Sequence, residues 1–286
     1  MISSPNYLTE ESNINTITVD ISGNEDYTSI NHAIENATIG SIIYVQSGIY
    51  QEKIKINKSI KLIAIDRNTT IIKPANNKTD VVINVTADNV QISNFTILEN
   101  EDITTQNNQV INKTTINIVS NSNNISKNIF QENIGICIKL KKSINNKIIL
   151  NTFLENSICI SIDEESNNNE IFYNNFFESR KFNVEDNGKN NIWYNQTFTM
   201  GNYWSDYKGE DKNSDGIGDT AYKFQGDNKD LYPLMKPFEK KLSLKEFTID
   251  RENVIFMLTI SMIVVIIFLL PIAYIWYRIR KRDYGE

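Results

Sequence analysis

The middle of this chain repeats itself, and the period limits the folds open to it. Phe130, Phe153 and Phe176 stand 23 residues apart, as do Asn128, Asn151 and Asn174, and Ile125, Ile148 and Ile171; Phe198 follows the last Phe by 22. Within a unit, short stretches alternate apolar with other residues, as in Ile136, Ile138, Leu140 and again in Ile158, Ile160, Ile162. Alternation marks strands. A repeat this short cannot bury its apolar side alone and must stack on its neighbours. The period and the two or three short strands per unit fit one coil of a parallel β-helix. A leucine-rich repeat has a similar period but needs a Leu and Asn pattern with a helical back, which is missing. Coils stacked about 4.8 Å apart turn equivalent residues into ladders. Phe and Ile would fill the interior. Asn would stand at the turns, bonding to itself and to backbone, and tolerating left-handed conformations. Such ladders give the 41 asparagines a physical role.

Earlier coils are less regular, but "SIIYVQSGIYQEKIKI", "SIKLIAI" and "VVINVTADNVQISNFTI" all alternate. Ahead of them, Tyr27, Ile30, Ala33, Ile34 and Ala37 fall on one face of a short helix. A helix there would cover the open end of the first coil, whose edge otherwise invites another chain. The fold expected is all-β: a right-handed parallel β-helix over residues 16–200 behind a lead of 1–15, with a short N-terminal capping helix. A C-terminal cap over 201–238 is rich in Asp, Gly and aromatics. A polar stalk spans 239–253.

Residues 254–277, "VIFMLTISMIVVIIFLLPIAYIWY", carry no charge. As a helix they would be roughly 36 Å long, enough to span a hydrocarbon core of about 30 Å. Tyr274, Trp276 and Tyr277 gather at one end, as an interfacial belt does. Basic residues number four on either side, but the basic tail 278–286 packs Arg278, Arg280, Lys281 and Arg282 into five positions. That density sets the tail in the cytoplasm and residues 1–253 outside. "MISSPNYLTEESN" has no apolar core of a signal peptide, so either a start lies upstream or the chain is tail-anchored; the first is expected. A single-pass protein of the cell membrane with an extracytoplasmic β-helix results.

The stretch "YTSINHAI" followed by "GSIIYVQSGIYQEKIKI" resembles the N-terminal cap of the pectin-lyase-like superfamily. "NNEIFYNNFF" and "GNYWSDYKGEDKNSDGIGDTAYKFQGDNKDLYPLM" resemble the end of NosD-like β-helix proteins, the periplasmic copper-binding family with its carbohydrate-binding and sugar-hydrolase domain. Archaeal surface proteins of that group commonly end this way before a membrane anchor. The likeness runs from about 16 to 238 and is most specific after 120. It implies copper, but one histidine, His32, and two cysteines, Cys137 and Cys159, offer no soft-metal donor set, so copper is not expected. His32 reads as an ordinary, partly exposed residue.

"DKNSDGIGD" matches much of a calcium loop. Asp211, Asn213 and Asp215 take the first, third and fifth places, Gly216 the sharp turn, Ile217 the backbone carbonyl and Asp219 the ninth. The twelfth place is Tyr222 rather than Glu, so Asp227 or Asp230 would have to complete the shell. Structural calcium is expected; the competing reading is an Asx-rich turn without metal. Asn202, Tyr203, Trp204 and Tyr207 are expected to pack over the coil end. Glu132, Glu155 and Glu178, 23 apart, should form a ladder that is either a cation-binding strip or, as expected, a solvated row at consensus turns, with Arg180 the one basic residue near. Asp163, Glu164 and Glu165 read as a solvated loop. Cys137 and Cys159, 22 apart in adjacent coils, are expected to face outward or into a corner, either bridged or free. Nine N-glycosylation sequons, from Asn36 to Asn195, are compatible with an external domain.

A net charge of −6 gives no basic surface for nucleic acid. The function expected is non-catalytic binding of cell-wall polymer, glycan or a surface protein by a chain tied to the membrane through its own helix. The alternative is a polysaccharide-acting lyase or hydrolase.

Overall fold

The computed structural model describes residues 14–76, 80–99, 113–224 and 228–239. The chain divides into a unit of residues 1–238 and a unit of 239–286. The expected stalk, membrane helix and basic tail fall in the second, and beyond Glu239 they lie outside the described residues. Among the described residues no helix is long and apolar enough to cross a membrane.

The first unit is a parallel β-helix. Three long sheets run its length, and successive strands of the chain visit them in turn. Sheet I has seven strands, from Thr16–Val19 to Glu170–Phe172; sheet II has seven, from Gly48–Gln51 to Tyr203–Trp204; sheet III has six, from Ile54–Ile56 to Phe182–Asp186. Every pairing within them is parallel, consistent with the right-handed sense that parallel crossovers take.

The registers turn the sequence period into rows. Ile125 pairs with Ile148 and Ile148 with Ile171 in sheet I; Phe130 pairs with Phe153, Phe153 with Phe176 and Phe176 with Trp204 in sheet II. All are buried. The rings of the second row stack nearly parallel, with centroids 5.0, 4.8 and 4.2 Å apart. Such pairs contribute about 0.5–1.5 kcal/mol beyond area burial.

The asparagines form the other rows. In one, Asn128, Asn151, Asn174 and Asn202 are all fully buried, and the Oδ1 of each of the last three accepts both the backbone N–H and the side-chain N–H of the Asn one coil before. A second row runs Asn123, Asn146, Asn169, Asn191, and a shorter one joins Asn133 to Asn156. Asn suits these corners because it supplies acceptor and donor on one short side chain, so a buried turn leaves few polar groups unpaired.

At the N-terminal end, α1 (Ile30–Asn36) buries Ile30, Ala33 and Ile34 on the first coil. Its free N–H groups are met by Glu52, whose carboxylate accepts from Ile30 N and Asn31 N at 2.8 and 2.9 Å. Lys58 Nζ donates to the carbonyls of Ile34, Glu35 and Ala37 at its other end. Tyr27, expected on the helix face, lies before the helix and bridges to Val19. His32 is exposed on α1.

Two expectations about repeat positions are corrected. Phe198 is not the next ring of the row: it is 66% exposed, and Trp204 takes the place on Phe176. The chain between them spends its extra residues on a surface turn. Cys137 and Cys159 do not face outward. Both are fully buried and free. Strict alternation fails in these sheet III strands, where Cys137 and Ile138 are buried in succession, so a residue counted as outward turns in.

Candidate functional site

Asp211, Asn213, Asp215, Ile217 and Asp219 lie in one exposed loop of the cap. Asp211 accepts from Asp215 N at 3.2 Å and Gly216 N at 2.9 Å. Asp215 accepts from Ile217 N at 2.8 Å and from Asn213 Nδ2 at 2.9 Å, and Asp219 accepts from Lys212 N at 2.9 Å. Gly216 turns at φ +87°, where a side chain would strain the backbone. Ile217 bridges to Leu234 and anchors the loop to the body of the cap. The donors present in this loop are all hard oxygens, the set a calcium ion takes. Among the described residues no three His, Cys, Asp or Glu side chains converge as a metal cluster.

Tyr222, at the twelfth place, and Asp230, a candidate for completing the shell, are both engaged elsewhere. Tyr222 donates to both oxygens of Asp206, at 3.0 and 2.9 Å. Asp230 is fully buried: Oδ2 accepts from Asn202 N at 2.7 Å and Trp204 Nε1 at 3.0 Å, and Oδ1 from Tyr232 N at 3.0 Å. Asp230 takes the position that the next Asn would hold in the long row, so a carboxylate terminates that row. Burial pushes Asp230 up to about 6 against those donors. Asp186, on the last strand of sheet III, accepts from Asn191 Nδ2 at the end of the second row and from Trp193 Nε1, and burial raises it too. Asp227 lies outside the described residues.

Glu132, Glu155 and Glu178 stand at equivalent turns with φ of +55°, +53° and +46°. Their spacing follows from the turn. Glu155 meets Arg180 at 3.9 Å on the surface. Glu178 and Glu132 line two separate depressions.

The larger depression is a groove of about 540 Å³ where the cap closes over the last coil of sheet III. Three segments far apart in sequence build it: 178–184, 205–208 and 222–224. Lys181, Lys208 and Lys223 face it together with Glu178 and Asp206, and Phe182, Tyr222 and Phe224 add apolar wall. Lys181 Nζ lies 5.1 Å over the Phe182 ring. Tyr222 stacks on Trp204 with centroids 4.3 Å apart, so the floor of the groove rests on the end of the aromatic row. Burial, with the Asp206 carboxylate beside it, pushes the Tyr222 phenol well up, which keeps it a donor. Asn183 Nδ2 donates to the same hydroxyl at 3.2 Å, and Ser179 donates to Asn183 Oδ1. Behind it, Cys159 Sγ touches Ser179 Oγ at 3.2 Å, and burial pushes that thiol up to about 12. None of the lysines stood out in the sequence, since no spacing links three such distant segments; the alternation in "AYKF" is the one local trace.

Solved structures with some likeness are pectin methylesterases. One, in complex with a hexasaccharide, has 9% identity and a TM-score of 0.36 over 57% of this chain and 78% of its own. Another, PemA from Erwinia chrysanthemi, has 13% identity and a TM-score of 0.37 over 57% of this chain and 55% of its own. Likenesses this loose carry no functional argument. Comparison with curated proteins returns no match. The family profile described as periplasmic copper-binding protein (NosD) matches residues 4–209, well over half of the chain, and with the ladders and cap above it the protein belongs to the NosD family.

Proposed function

We propose that this is an extracytoplasmic, membrane-anchored protein that binds an acidic glycan in the groove between cap and coil, without catalysing a reaction on it. The observation that carries the reading is the lining of that groove. Three ammonium groups set against two carboxylates, one of them already bonded to Tyr222, favour an anionic ligand, and the aromatic wall offers a surface for the C–H face of a sugar ring. Glu178 and Asp206 are both exposed. A glycosidase needs one carboxyl shielded from water; both carboxylates of this groove are open to solvent, which favours binding over hydrolysis. The family's description as periplasmic supports an extracytoplasmic setting, with residues 254–277 as the anchor.

The same description names copper. The residues do not fit it. His32 is exposed on α1, Cys137 and Cys159 are sealed inside the coil, and among the described residues no three His, Cys, Asp or Glu side chains converge. Calcium is a better match to Asp211, Asn213, Asp215, Asp219 and the Ile217 carbonyl, where it would brace the cap.

The test is a titration with hexamers of uronic acid and with neutral hexamers of the same length. Uronate binding should weaken with salt and fall at least tenfold in the double variant Lys181→Glu, Lys223→Glu. Failure to bind uronates, or binding unchanged in that variant, overturns the groove assignment.

A further inference from the structure

The second depression lies on the outer face of sheet II, away from the cap, and it contains a carboxylate that no other reading uses. Glu99 follows the strand Thr96–Leu98 and is 7% exposed. Its Oε2 accepts two successive backbone N–H groups, Ile134 N at 2.7 Å and Gly135 N at 2.9 Å. Position 135 has to be glycine for this: a Cβ there would stand 2.2 Å from the carbonyl oxygen of Lys113. The other oxygen, Oε1, is buried and has no hydrogen-bond partner. On the same turn, Asn133 Oδ1 is a second buried acceptor with no donor. Unmet buried acceptors of this kind cost about 1–3 kcal/mol each.

Glu99 lines a pocket of about 320 Å³. Its apolar floor is Ile71, Leu98 and Ile129; Gln131 and Glu132 stand at its polar side, with Gln131 Nε2 donating to Glu132 Oε1 at 2.7 Å. We propose that this pocket is a second saccharide site, for a neutral sugar ring whose hydroxyl groups donate to Glu99 while its C–H face lies on the apolar floor. Two carboxylates in one small pocket repel a uronate, so the ligand differs in charge from that of the lysine-lined groove. A cation is the weaker occupant, because half of its wall is hydrocarbon and, among the described residues, no third carboxylate, histidine or cysteine joins the pair. Burial raises Glu99 against the two N–H groups and Lys113. The inference goes beyond the groove assignment and stands without it.

Glu99→Gln is the direct probe. The amide oxygen can keep the Ile134 and Gly135 N–H groups satisfied, while the free acceptor becomes an NH₂ donor. Neutral glucan, mannan and galactan hexamers are titrated against wild type, Glu99→Gln, Ile129→Arg and the lysine-reversed double variant, with calcium chloride alone as a further titrant. At least one neutral hexamer should bind wild type, bind Glu99→Gln and Ile129→Arg tenfold or more weakly, and bind the lysine-reversed variant unchanged. Ile129→Arg fills the floor from the outward face and leaves residue 99 a glutamate, so it decides the matter if Glu99→Gln fails to fold. Neutral binding that survives both pocket variants, or its absence in wild type, overturns the proposal. So does calcium binding lost in Glu99→Gln without any sugar binding. Loss in the lysine-reversed variant alone would assign neutral sugars to the groove instead.

Discussion

Removing one rung from the long asparagine row should cost far more than removing an asparagine from a turn, and the two can be compared within five or six residues of each other. Asn151 Oδ1 accepts Asn128 N at 2.9 Å and Asn128 Nδ2 at 3.2 Å, and its own Nδ2 donates to Ile125 O at 2.8 Å and Asn174 Oδ1 at 3.1 Å. In Asn151→Ala, Asn128 Nδ2 keeps Ile92 O, and Asn174 Oδ1 keeps the backbone N–H of residue 151. The Asn128 N–H loses its acceptor and Ile125 O its side-chain donor, at zero exposure where water cannot replace them. At about 1–3 kcal/mol per orphaned group the loss is about 4 kcal/mol, roughly 8–16 °C in Tm for a domain of this size. Asn145 instead occupies a left-handed turn at φ +59°. Asn145→Ala should cost about 1–2 kcal/mol, and Asn145→Gly should be neutral or slightly stabilising. Thermal melts by circular dichroism of the three variants, with Asn151→Gly as a fourth, read all of this. A Tm for Asn151→Ala within a few degrees of Asn145→Ala, or a tolerated Asn151→Gly, would refute the claim that the buried row holds the corners together.

Calcium should raise the melting temperature of the cap, and Asp215→Ala should abolish the rise; an equal shift in wild type and variant would reduce the loop to a turn. Asp230 gives a pH dependence whose sign is fixed: its folded value, about 6, lies above the unfolded one near 3.8, so the unfolded chain ionises first and stability falls as pH rises from about 4 to about 6, by on the order of 3 kcal/mol for this group. Trp204, which donates to Asp230, reports it: emission-monitored unfolding should show that slope in wild type and lose it in Asp230→Asn. Cys137 and Cys159, buried and with thiols pushed up by that burial, should resist alkylation at pH 8 until the coil unfolds; rapid native labelling of either would contradict the inward placement.

The coil was legible because stacking constrains every repeat in the same way. Phe130, Phe153 and Phe176 declared one interior row and Asn128, Asn151 and Asn174 another, and both rows stand at the registers their spacing implied. Spacing misled where a chain departs from its own period. Phe198 keeps the count yet lies on the surface, since the chain reaches the next interior position only at Trp204. For Cys137 and Cys159 the outward alternative failed for a subtler reason: strict alternation assumes a flat strand, and these strands bury two residues in succession. The lysine groove left no periodic mark, because segments 178–184, 205–208 and 222–224 meet only once the cap has folded.

That contrast indicates where function has room in such a molecule. A position inside a row answers to the coils above and below it: it must match their volume, or pass on their hydrogen bonds, and has no freedom to meet a ligand. Freedom begins where a row stops. Asp230 takes the place of the next Asn at the C-terminal end of the long row, and Asp186 accepts the last Asn191 amide of the second, beside the cap that forms the lysine groove. Glu99 stands where the short row starts, at the turn of Asn133, with one oxygen tied to backbone and one left over. Glu99 lines its own pocket, and Asp230 holds Trp204 under the Tyr222 floor of the groove, so both candidate sugar sites lie near a row end, where stacking no longer dictates the side chain. A chain built this way can change its ligands by changing row ends while its coils stay as they are.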